Sequence, residues 1–99
     1  MKRDAKRISK LDKLIHEPAR LSIVAVLTGC ERADFTYLLN ATGLTRGNLS
    51  RHLSKLEEAG YIKAKKVFIG KIPNSSYSLT KTGKKSFRAY RKMMRDITK

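Results

Sequence analysis

The run TRGNLSRHLSK concentrates Thr45, Arg46, Asn48, Ser50, Arg51 and Lys55, side chains of the kinds that read a nucleic acid. Arginine presents paired donors to guanine O6 and N7, asparagine matches adenine N6 and N7, and serine reaches phosphates or base edges. Thr45 is placed to cap a helix, and the amide-rich start of that helix favours a phosphate. Leu49, Leu53 and Leu56, with Ala59, recur at helical spacing and define an inward stripe. At about 100° per residue, Gly47, Arg51, Ser54 and Glu58 stand opposite Leu49, flanked by Asn48, Ser50 and Lys55. Gly47 leaves room for close backbone approach. An ordinary amphipathic helix with a solvated face would show the same stripe. The small, polar and basic opening turns are what suit a DNA major groove, with Glu57 and Glu58 kept to the far end.

Other chemistry is sparse. The lone Cys30 allows no disulfide within the chain, and with His16 and His52 it falls short of a zinc-binding set, so no metal or other cofactor is expected. Cys30 follows an apolar helix and reads first as a small hydrophobe, with a redox role as the alternative. For His16 and His52, packing or a phosphate contact outranks a pH-sensing or metal role. No P-loop, GxGxxG, HExxH or GxSxG pattern occurs, and the carboxylates are few and scattered, so an enzyme is not expected.

The elements that position the basic run follow from periodicity and punctuation. Ile8, Leu11, Leu14 and Ile15 have helical spacing and predict a first helix that ends before Pro18. Pro18 suits the first turn of a second helix carrying Leu21, Val24, Ala25 and Leu27, nearly apolar all round and therefore central, with Gly29 as its stop. Asp34 can cap a short third helix that ends at Gly43, and the helix capped by Thr45 follows after two residues, ending at Gly60. Two helices joined by a short turn containing glycine make a helix-turn-helix. Tyr61, Ile62, Val67, Phe68 and Ile69, interleaved with Lys63, Lys65 and Lys66, predict a strand; Gly70, Pro73 and Asn74 mark a turn, and SSYSL a second strand. Lys65, Lys66, Lys71 and Asn74 on this hairpin can track a phosphate backbone or reach a minor groove, although lysines on a strand also discourage edge-to-edge aggregation. Thr80 then caps a last helix, whose Phe87, Tyr90, Met94 and Ile97 form a seam of coiled-coil type.

Composition sets the limits. With 99 residues and 11.2 kDa, one domain spanning 1–99 is expected. Its formal charge is +15, a self-repulsion that a polyanionic partner would offset. By segment the net charge is +4 over residues 1–13, −1 over 14–45, +5 over 46–80 and +7 over 81–99. The longest apolar run, Ile23 to Leu27, is far too short to span a membrane. The charged start MKRDAKRISK lacks the apolar stretch of a signal peptide, so a cytoplasmic protein without membrane contact is expected.

The expected fold is therefore mainly α with a two-stranded β wing, in the order α-α-α-α-β-β-α. That is the order of winged helix-turn-helix proteins, and the sequence resembles the small ArsR/MarR-like transcriptional regulators of archaea and bacteria. The likeness is carried by LDKLIHEPARLSIVAVL, by LLNATGLTRGNLSRHLSKLEEAGYIKAKK and by SYSLTKTGKKSF. It implies a homodimer that places two recognition helices in successive major grooves of a pseudo-palindromic operator, with Thr45, Arg46, Asn48, Ser50, Arg51 and Lys55 on the recognition element and Lys66 and Lys71 in the wing. The paired cysteines that metal-sensing ArsR proteins carry near this helix are missing from Asn48 to Lys55, which argues against metal sensing. The dimer is expected to be held by residues 4–15 and 84–97, through Leu11, Leu14, Phe87, Tyr90, Met94 and Ile97. A repressor is expected, since the chain leaves no room for an activation domain. The alternatives are a non-specific architectural DNA- or RNA-binding protein and a protein-interaction module. No residue pattern names a small-molecule effector.

Overall fold

A computed structural model describes residues 11–98 of the chain. The elements run α1 (Pro18–Thr28), β1 (Ala33–Asp34), α2 (Phe35–Thr42), α3 (Arg46–Glu58), β2 (Ile62–Ile69), β3 (Ile72–Leu79) and α4 (Lys81–Thr98). The three strands form an antiparallel sheet in the order β1-β3-β2.

Helix boundaries fall at the expected residues, with Glu17 as an additional cap. Pro18 occupies the first turn of α1, and Glu17 caps it by accepting from the amides of Ala19 and Arg20. Gly29 closes α1. Asp34 caps α2, its Oδ1 accepting from the Tyr37 amide at 2.7 Å. Gly43 ends α2 in the left-handed region at φ 71°, a conformation that favours glycine. Thr80 caps α4 by accepting from the Gly83 amide at 3.0 Å, while its hydroxyl donates to the Gly60 carbonyl.

Three expectations are corrected. Residues 11–17 form consecutive turns and bends rather than the end of a helix, and the remainder of the expected first helix lies outside the described residues. Asp12 directs those turns, its Oδ1 accepting from the amides of Leu14 and Ile15, a local bonding pattern that competes with a helix. The sheet has three strands rather than two, because Ala33 and Asp34 pair with Tyr77 and Ser76. The hairpin turn is Gly70–Lys71, not Gly70 through Asn74. Ile69 lies opposite Ile72, and Pro73 and Asn74 belong to β3 opposite Phe68 and Val67. In a two-residue hairpin the closing pair is hydrogen-bonded and the next pair is not, so Pro73 falls where its missing amide costs no ladder bond.

The core joins α1 to everything else. Ile23, Val24 and Leu27 of α1 are buried with Leu38, with Leu49, Leu53 and Leu56 of α3, with Ile62 and Leu79 of the sheet, and with Phe87 and Tyr90 of α4. The stretch before α1 is fastened to this core as well. Leu11 and Ile15 are buried, Tyr61 donates to Asp12, and His16 Nδ1 lies 2.8 Å from the Tyr90 hydroxyl. Gly83 marks the closest approach of α4 to the body: a Cβ there would stand 2.0 Å from the Tyr61 carbonyl oxygen. Among the described residues no buried side-chain nitrogen or oxygen lacks a hydrogen-bond partner, as a well-satisfied interior requires.

Candidate nucleic-acid interface

Helix α3 divides along its length into two faces. Leu49, His52, Leu53 and Leu56 are buried, whereas Thr45, Arg46, Gly47, Asn48, Ser50, Arg51, Ser54 and Lys55 are exposed. The stripe is one position shorter than expected, since Ala59 is the exposed C-cap residue. Burial of Leu49, Leu53 and Leu56 in the core shared with α1 fixes the helix rotation and turns the polar face outward. Thr45 Oγ1 accepts from the Asn48 amide at 3.2 Å and satisfies one of the free donors of the first turn. A Cβ at Gly47 would meet nothing within 4 Å, so the chain's own packing does not demand glycine there.

The exposed side chains are partly ordered by one another. Arg51 Nη2 donates to Asn48 Oδ1 at 3.3 Å, one turn apart on the helix. The Arg46 guanidinium stands 6.0 Å from the centre of the Phe35 ring at the start of α2, within cation–π range. Lys66 and Lys71 of the hairpin are exposed, and Lys63 and Lys65 beside them add to the same basic ribbon.

A second layer lies beneath Arg51, and local sequence patterns do not reveal it. His52 is buried, and its Nδ1 lies 3.1 Å from Arg20 Nη1 and 3.5 Å from Glu17 Oε2. Arginine can only donate, and Arg51 Nη2 also lies 3.5 Å from Nε2, so both ring nitrogens face guanidinium groups and the neutral imidazole can accept at only one of them. Burial lowers the His52 pKa below its ordinary 6.5. The nearby charges of Arg51, Arg20 and Lys55 act in the same sense, and Glu17 opposes them only in part. Arg20 in turn donates through Nε to the Leu14 carbonyl at 2.6 Å and pairs with Glu17 at 3.4 Å. For Glu17, burial alone would raise the pKa. The amides of Ala19 and Arg20 and the charges of His52 and Arg20 outweigh it, and the net pKa lies below 4.5. Glu17 and Arg20 thus tie the start of α1 to the inner edge of α3. The only sequence signal for this was the position of His52 at the margin of the leucine stripe; its partners are 32 and 35 residues away.

The expected dimer residues are distributed unevenly. Leu11, Phe87 and Tyr90 are buried in the chain's own core, while Leu14, Met94 and Ile97 are half-buried, as is Met93. Cys30 is half-buried and lines an open cleft of about 580 Å³ between the end of α1 and α4, together with Phe87 and Arg91. Among the described residues no group of three or more His, Cys, Asp or Glu is arranged to hold a metal, and no helix is long and apolar enough to cross a membrane.

Comparison with known proteins places this geometry. A relative from Methanocaldococcus jannaschii, an uncharacterized protein, is 37% identical over 78 residues, covering 79% of this chain and 85% of its own. The fold superposes on a transcriptional regulator homologue from Pyrococcus horikoshii with a TM-score of 0.86 and 27% identity, over 97% of this chain and 94% of that one. A regulator of the MarR family from Enterococcus faecalis shares the fold at a TM-score of 0.76 and 22% identity, over 92% of this chain and 82% of the other. The family model described as a winged helix DNA-binding domain matches residues 19–98, from the first turn of α1 to the last residue of α4. With the outward basic face of α3 and its two long hairpin strands, the chain belongs to the winged helix DNA-binding domain family.

Proposed function

We propose that the protein is a sequence-specific transcriptional regulator that binds duplex DNA as a homodimer and represses by occupying its operator. The observation that carries this reading is the face of α3 opposite Leu49, Leu53 and Leu56. There an arginine already oriented by Asn48 projects from a capped helix start with no acidic side chain in its first two turns. Arg51 addresses a base edge, Asn48 and Ser50 flank it, and Thr45, Arg46 and Lys55 engage phosphates. Lys66 and Lys71 of the wing contact the neighbouring backbone. The likeness to a transcriptional regulator homologue over nearly the whole chain supports the regulatory role.

A dimer is supported by α4, an 18-residue helix whose Met93, Met94 and Ile97 remain half-buried beyond the core formed by Phe87 and Tyr90. Pairing of these residues, with Leu14, against the same surface of a second copy would cover them. Two recognition helices then face half-sites spaced by about one helical turn of DNA.

Selection of bound fragments from random DNA tests the reading. The expected result is an inverted repeat with a fixed half-site spacing. Fragments with no common sequence would instead indicate an architectural binder, and no retained DNA at low salt would refute the proposal.

A further inference from the structure

The wing ends in an apolar tip that the chain itself does not cover. Phe68 is 69% exposed, Ile69 64% and Ile72 70%, the three largest exposures among the large hydrophobic side chains of the described residues. Directly opposed residues of an antiparallel pair share a face, and successive pairs alternate. Ile69 and Ile72 therefore occupy one face of the tip, and Phe68 and Pro73 the other. Both faces are apolar. The third strand cannot shield them, because β1 pairs only as far as Ser76 and leaves the outer hairpin two strands wide. Lys71 stands in the turn at the apex, Lys63, Lys65 and Lys66 stand between the apolar residues and the body, and Tyr61 to Leu79 contains no acidic residue.

We propose that this tip is a wedge that enters the minor groove of duplex DNA and opens a base step, while the lysines hold the phosphates on either side. The proposal rests on the DNA-binding reading above and adds a deformation to it. Charge selects the occupant: a ribbon this basic on a chain of +15 is repelled by a second copy and attracted by a polyanion. The undeformed minor groove is too narrow for a two-stranded tip, so entry requires the duplex to kink and the groove to open, and unstacking a step exposes base faces that Phe68 and the isoleucines can cover. Pyrimidine–purine steps unstack most readily, so the wing selects TA or CA at the flank of the site without hydrogen-bonding to any base.

The test uses the full chain and a duplex selected from random DNA, labelled at both ends for energy transfer and carrying 2-aminopurine at the flanking step. The wild-type protein should bend the duplex and raise the 2-aminopurine fluorescence. Phe68→Ser combined with Ile69→Ser should abolish both signals and weaken binding about tenfold with an unchanged salt slope. Lys71→Ala should reduce the salt slope by about one per subunit and keep the bend. All three positions are exposed, and equal melting temperatures would verify that the variants fold. An unaltered bend and fluorescence in the double variant would overturn the wedge while leaving DNA binding intact. An undistorted duplex, with binding to phosphatidylglycerol vesicles lost in the double variant, would overturn it in favour of a lipid surface. Failure of the wild-type chain to bind any duplex would remove the reading on which it stands.

Discussion

Arg51 and His52 are neighbours with opposite surroundings, and each supports a separate prediction. Arg51 is exposed and held by Asn48. Arg51→Ala should weaken binding to the selected site by about 1–3 kcal/mol and relax preference at one base pair, measured by titration against single-base variants. His52 is buried against Arg20, Glu17, Arg51 and Lys55, with its pKa held below 6.5. The unfolded chain then takes up the proton first as pH falls. The stability that neutral His52 contributes is complete above about pH 6.5 and is lost as pH drops through the folded value. Protonation would set an imidazolium against the guanidinium groups of Arg20 and Arg51. Urea midpoints should therefore fall between pH 7.5 and 5.5, and His52→Gln should flatten that part of the profile. Glu17, whose pKa is also lowered, loses its contribution only in stronger acid, below 4.5, so the two effects separate on the pH axis. Gly83 is constrained by space rather than charge: with the Tyr61 carbonyl 2.0 Å from where a Cβ would lie, Gly83→Ala should cost about 1–3 kcal/mol or more by overpacking.

At the scale of elements, α3 carries core leucines on one face and the proposed recognition residues on the other, and the two faces can be separated by substitution. Leu53 is 3% exposed in the core. Leu53→Ala should lower stability by about 2–5 kcal/mol in denaturant titrations, and at temperatures where the variant stays folded its DNA affinity should change little. Helix boundaries were legible in the sequence because most rest on a local signal, Pro18, Asp34 or Thr45 at the start of a helix and Gly29 or Gly43 after it, whereas the Glu17 cap was found only in the structure. The hairpin turn was read too long. Proline and asparagine normally punctuate, but here Gly70 alone supplies the left-handed φ of 65° that the reversal needs, and Pro73 sits at a position that asks no amide of it. Strand β1 was missed because two residues carry no periodicity. Only the edge of β3 makes Ala33 and Asp34 a strand.

For the whole molecule, charge and assembly are the quantities to measure. A dimer neutralising roughly 8 phosphates should show log affinity falling against log salt with a slope of about −7. Sedimentation equilibrium at micromolar concentration should give twice the 11.2 kDa chain mass, and Met94→Asp with Ile97→Asp should return it to one chain. A wild-type mass near that of a single chain would defeat the dimer. The helix-turn-helix, the hairpin and the last helix in that order, and the inward leucines and outward basic face of α3, were determined by the sequence alone, since periodicity and caps act within a few residues. Only the tertiary structure decided that Leu11, Phe87 and Tyr90 serve the chain's own core and that Glu17 and Arg20 converge on His52 beneath Arg51. It also decided that the wing tip stands uncovered, with β1 stopping at Ser76. Each of these depends on which distant segments are brought together, and the spacing of residues along the chain carries no record of that.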